Sequence, residues 1–133
     1  MKQFRRILHP TDFSKASGPA FAKALDLAEQ NRAELVLVHV LTPPAPLYTE
    51  GYVSPQYYEA LETEARRGAQ TRLSALLAKA RKAKARVRSL LLLGIPHDQI
   101  TRAARSKRAD LIVMGTHGRT GLPKFFIGSV AER

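Results

Sequence analysis

Two periodicities alternate along this chain, and their order is the first thing it discloses. Phe4–His9 (Phe-Arg-Arg-Ile-Leu-His) reads as a strand, with Pro10-Thr11-Asp12-Phe13-Ser14 as the loop that follows. From about Ser17 to Asn31 the apolar positions shift to helical spacing, with Ala20, Phe21, Ala24, Leu25 and Ala28 on one face. Ser14 or Ser17 can cap this helix, and the pattern does not choose between them. Glu34–Val40 is apolar on both faces, as a buried parallel strand is. Thr42–Ser54 holds three prolines and a glycine and reads as a mobile loop.

A long helix is expected from about Pro55 to Lys84, with Leu61, Ala65, Ala69, Leu73, Leu76 and Ala80 along one stripe. Arg86–Leu93 is a third strand, closed by Gly94. Pro96 then occupies a first helical turn, where its missing N–H does no harm. Ile100, Ala103 and Ala104 give the third helix its inner face, and Asp110–Met114 is a fourth strand. A further helix is expected to start at Gly128-Ser129. Strands alternating with helices imply parallel βαβ units with right-handed crossovers, hence an α/β fold. No internal repeat or low-complexity tract stands out.

Length adds one constraint: 133 residues suit a single domain, 1–133, with one sheet and its covering helices. There is no cysteine, which removes disulfides and thiolate metal sites and fits a cytoplasmic setting. No apolar run is long enough for a signal peptide or a transmembrane helix. The formal charge of +11 is unevenly placed: residues 65–108 carry thirteen basic side chains against one acid, Asp98. On a helical wheel Arg66, Arg67, Arg72, Lys79, Arg81, Lys82 and Lys84 spread over the non-apolar faces without interleaved aromatics. That favours a solvated face over a nucleic-acid site.

The candidate chemistry lies after the fourth strand, in Gly115-Thr116-His117-Gly118-Arg119 and in Gly128-Ser129. Glycines there let backbone N–H groups approach an anion, and a helix start at Gly128-Ser129 would add unpaired N–H groups and a positive dipole end. The frame is neither a P-loop nor a dinucleotide fingerprint, since Lys124 is too early for the former. His117 and Arg119 could complement phosphate charge. The four histidines have no metal-ligand spacing, His9 and His39 read as structural, and no catalytic set follows from residue order.

The pattern Gly-x2-Gly-x9-Gly-Ser, the preceding Asp-Leu-Ile-Val-Met, Pro10-Thr11-Asp12-Phe13-Ser14 and Gly94-Ile95-Pro96 together resemble the universal stress protein family, specifically its ATP-binding branch. The resemblance runs from Ile7 to Glu132. It implies a doubly wound parallel sheet flanked by helices, of strand order 3-2-1-4-5, with ligand beyond the strand ends where that order reverses. It implies contacts to ATP from Pro10, Thr11, Asp12 and Val40, and from Met114, Gly115, His117, Gly118, Arg119, Gly128, Ser129 and Val130. Asp12 would take a ribose hydroxyl or orient a metal-bound water, with Mg²⁺ or Mn²⁺ bridging phosphate oxygens. The implied protein is a cytoplasmic, homodimeric stress-response regulator, with protein partners unnamed. Slow ATP hydrolysis and nucleic-acid binding through 65–108 are the competing readings. Family members usually continue through a fourth helix into a fifth strand that pairs across the dimer. Here the sequence stops at Arg133, inside the expected fourth helix, so that strand is expected to be absent; since proteins avoid an open edge, either further residues follow or the edge of the fourth strand is covered some other way.

Overall fold

The computed structural model describes residues 4–42, 54–117 and 123–129. In chain order they form β1 (Arg6–Pro10), α1 (Ser17–Asn31), β2 (Glu34–Leu41), α2 (Pro55–Lys82), β3 (Arg86–Leu93), α3 (Pro96–Ser106), β4 (Leu111–His117) and β5 (Pro123–Ser129). The five strands make one sheet in the order β3-β2-β1-β4-β5. β1 pairs in parallel with β2 and β4, and β2 in parallel with β3. The expected loop between β2 and α2 falls almost wholly outside the described residues.

Strand alternation sorts the core into two layers. Ile7, Leu35, Leu37, Leu111 and Val113 point to one face, against the small stripe Ala20, Ala24 and Ala28 of α1 and against Leu73 and Ala80 of α2. Leu8, Val36 and Val38 point to the other face and meet Ala104 of α3 and Ala109 beyond its end. The apolar runs of β1 and β2 are thus apolar on both faces because both faces are covered. Ser54 caps α2 by accepting the Tyr57 N–H at 3.2 Å. Neither candidate caps α1: its N-cap is Ala16, with no side-chain bond, and Ser17 is the first helical residue.

Each of the three helices ends in the same way. Ala33 N–H reaches Ala28 O, Ala85 N–H reaches Ala80 O, and Ala109 N–H reaches Ala104 O, a Schellman closure each time. The residue before the bonded alanine, Arg32, Lys84 or Arg108, is left-handed, with φ of 51°, 64° and 54°. The chain therefore does carry a short repeat, Ala-x-x-x-(Arg/Lys)-Ala, spaced too widely to stand out by eye.

Two expectations are corrected at the last element. No helix starts at Gly128-Ser129; those residues end β5, which runs antiparallel to β4. The edge of β4 is also covered from within the chain, since Pro123–Ser129 supplies a fifth strand. The physical reason is the open edge itself. Unpaired N–H and C=O groups along β4 find partners in the β-prone Phe125-Phe126-Ile127, seven ladder pairs long.

Candidate functional site

β1 keeps five ladder partners on β2 but only two on β4, Ile7 with Leu111 and Leu8 with Ile112. Beyond that point the two strands are bridged by a side chain: buried His9 donates from Nδ1 to Val113 O at 2.8 Å. These are the carboxyl ends of the strands where the sheet order reverses, the place at which open α/β sheets bind ligands.

The loop leaving β1 is tightly held. Buried Thr11 donates its N–H to Val38 O at 2.8 Å, and its hydroxyl accepts the Phe13 N–H at 3.1 Å. Asp12 Oδ1 accepts the Ser14 N–H at 2.9 Å and the Ser17 hydroxyl at 2.8 Å. The Ser14 hydroxyl, against the opposing effect of partial burial and with help from the Ser14 N–H and the Ser17 hydroxyl, pulls the exposed carboxyl down to about 2, so Asp12 is a fixed anion.

Gly115, on β4, sits against the start of α1. A Cβ there would lie 2.5 Å from Ala16 O, 2.8 Å from Ala16 C and 3.0 Å from Ser17 Cα. Gly115 and Asp12 therefore flank the same helix N-terminus, one by close backbone approach and the other through Ser17. Gly115 is required by packing, whatever else it meets.

On the α2 side of Asp12 lies a cleft of about 280 Å³ that sequence reasoning missed. Phe13, held at φ 64°, stacks on His39 with centroids 4.4 Å apart, and the Arg72 guanidinium lies 5.6 Å from the Phe13 centroid. His39 Nδ1 donates to Thr11 O at 2.7 Å. Gly68 contributes open wall, with nothing near the place of a Cβ. The layering of Arg72, Phe13 and His39 beside Asp12 and Glu64 offers an aromatic face, a cation and two carboxylates in one concavity.

The remaining expected residues divide. Pro10 is buried at the end of β1, and half-buried Val40 packs in the α3-side core while pairing with Leu92. Met114 and His117 stand on β4 opposite Phe126 and Pro123. Gly128 and Ser129 stand opposite Ile112 and Leu111, at the end of β4 away from His117. In this arrangement they are not at the strand carboxyl ends, because edge pairing has claimed the segment. Gly118, Arg119 and Val130 lie outside the described residues. Among the described residues no helix is long and apolar enough to cross a membrane, and no cluster of His, Cys, Asp or Glu could hold a metal ion.

A parallel sheet of order 3-2-1-4 flanked by helices, with an anionic loop at its reversal, defines a doubly wound α/β protein, and comparison narrows the class. The family model for the universal stress protein family matches residues 3–133. A universal stress protein of Methanocaldococcus jannaschii is 33% identical over 132 residues, covering 98% of this chain and 75% of the relative. One from Thermus aquaticus is 34% identical over 130 residues, covering 98% and 90%. Among solved structures, a second M. jannaschii protein superposes with a TM-score of 0.76 at 25% identity, over 91% of this chain and 80% of the other. A Burkholderia pseudomallei family member gives 0.68 at 30% identity, over 88% and 85%. The chain belongs to the universal stress protein family.

Proposed function

We propose that the chain is an ATP-binding regulator, a binding module whose surface changes with nucleotide occupancy. The observation that carries this reading is Asp12: an ionised carboxylate just past the end of β1, beside the reversal of the sheet order, with Oδ1 pinned by the Ser14 N–H and the Ser17 hydroxyl. The carboxylate would take a ribose hydroxyl or a metal-bound water. Thr11 and Val40 would frame the base, and backbone donors from Met114 through Gly118 would meet phosphates whose oxygens share Mg²⁺ or Mn²⁺. His117 and Arg119 would add positive charge.

Gly128, Ser129 and Val130 can join that set only if the β5 segment leaves the β4 edge. Its two roles, covering the sheet and supplying phosphate donors, exclude each other. Family membership supports the module, and a homodimer in the cytoplasm is part of the same proposal. A protein of this fold has been solved in complex with cAMP. At 21% identity that likeness carries the fold alone, so cAMP enters only as a competitor in the test. Titration with ATP and Mg²⁺ should give saturable binding that Gly118→Val and Gly128→Val abolish without unfolding the chain. Unchanged affinity in both variants would remove the glycine segment from the mechanism. Hydrolysis has no stronger candidate groups than Asp12, His117 and Arg119, so the reading is binding rather than turnover.

A further inference from the structure

In a parallel sheet every helix-to-strand turn returns to the amino ends of the strands, opposite the proposed nucleotide site. Here each of those turns delivers a cation. Arg32, Lys84 and Arg108 occupy the left-handed position before β2, β3 and β4, where glycine is the ordinary residue and a side chain is strained. Arg5 and Arg6 approach β1 from the same end, and Arg6, Glu34 and Arg86 are register partners across β1, β2 and β3.

The acids at this end are already engaged. Glu34 Oε1 serves Arg6 at 2.9 Å and Arg88 at 3.1 Å. Asp110 Oδ2 accepts the Arg5 and Arg6 backbone N–H groups at 2.8 and 3.0 Å. No described carboxylate pairs with the guanidinium of Arg5, Arg32 or Arg86. These three, with Arg6, Phe4 and Asn31, line an open surface pocket of about 390 Å³. Arg86 Nη2 donates to Arg32 O at 2.7 Å, which steers that side chain along the pocket wall.

We propose that this pocket is a second anion site, which takes a short chain of phosphates through Arg5, Arg32 and Arg86. Guanidinium forks match phosphate oxygens two at a time, and several converging forks select a multiply charged chain over a single anion. Neighbouring strands stand about 4.8 Å apart, so cations from successive strand starts follow an extended chain. The ligand is a free oligophosphate rather than nucleic acid, because no base platform is offered. Phe4 is the sole aromatic in the lining and is half-buried against the core. Attraction of cations to helix carboxyl ends accounts for Arg32, Lys84 and Arg108. It does not account for Arg5 or Arg86, which belong to strand approaches.

The test is calorimetric titration of the full chain with sodium tripolyphosphate at about 0.15 M salt, where exposed charges are screened beyond about 8 Å. Arg32→Gly with Arg86→Gln should weaken binding about tenfold or more, the loss of charge-assisted contacts worth about 1.4 kcal/mol or above. Glycine suits the left-handed turn, so a folded variant is expected, and its circular dichroism is the check. Arg66→Gln with Arg67→Gln, which removes equal charge from the exposed face of α2, should leave affinity unchanged. Equal losses in both variants would reduce the effect to net charge and overturn the site. A short single-stranded oligonucleotide that binds more tightly than tripolyphosphate, and loses that affinity in the Arg32/Arg86 variant, would overturn the choice of ligand. Absence of tripolyphosphate binding would overturn the proposal whole.

Discussion

Replacing Gly115 by alanine adds one methyl group at the tightest backbone approach found for a described glycine. The new Cβ would stand 2.5 Å from Ala16 O, almost an ångström inside ordinary contact, and 2.8 Å from Ala16 C. Both neighbours are backbone atoms at the start of α1, so no rotamer can relieve the overlap. Either β4 or the first turn of α1 must move, and that turn is tied to Asp12 through Ser17. Overpacking of this kind costs about 1–3 kcal/mol, and a backbone clash belongs in the upper half of that range. For a domain of this size, about 2 kcal/mol lowers Tm by about 5–10 °C. Thermal melts followed by far-ultraviolet circular dichroism read this directly. A melting temperature equal to wild type, with nucleotide affinity lost, would refute the packing argument and assign Gly115 to phosphate contact alone.

Gly68→Ala should act in the opposite direction. Its Cβ meets nothing, and a helix-interior alanine is worth about 0.5–1 kcal/mol over glycine, a gain visible in urea melts. His9 is held neutral, its pKa lowered from 6.5 mainly by desolvation, with the bond to Val113 opposing. The unfolded chain therefore binds a proton that the native chain refuses, so stability is full above about pH 6.5 and falls below it. His9→Leu should flatten the slope of Tm between pH 7 and 5. Asp12 behaves oppositely in sign of shift: its lowered carboxyl contributes stability above 3.8, lost as pH falls toward about 2. Asp12→Asn should remove that step from an acid titration of stability.

The strands were legible wherever both faces are buried, as in Leu35–Val38, because a continuous apolar run has few other uses. β1 begins two residues later than its polar-apolar boundary suggested, at Arg6, and ends on Pro10. β5 was illegible because Pro123 and Gly128-Ser129 imitate a loop and a helix start; what makes them strand is the distant open edge of β4. Asp12 could be found because it follows a strand at a fold-determined place. Phe13, His39 and Arg72 could not, since only tertiary packing stacks them. A helical wheel disperses the basic residues around α2, while the turns gather Arg32, Lys84 and Arg108 at one end of the sheet.

The central claim is that nucleotide binds where the sheet order reverses, and ATP's own triphosphate makes the amino-end pocket its natural confounder. The direct measurement is therefore titration of ATP with Mg²⁺ into wild type, Asp12→Asn and the Arg32→Gly/Arg86→Gln variant, each shown to be folded. The account predicts saturable binding in wild type, weakened by Asp12→Asn, resistant to excess tripolyphosphate, and unchanged when the arginines are replaced. No binding at millimolar ATP, or binding that follows the arginines and ignores Asp12, would contradict it.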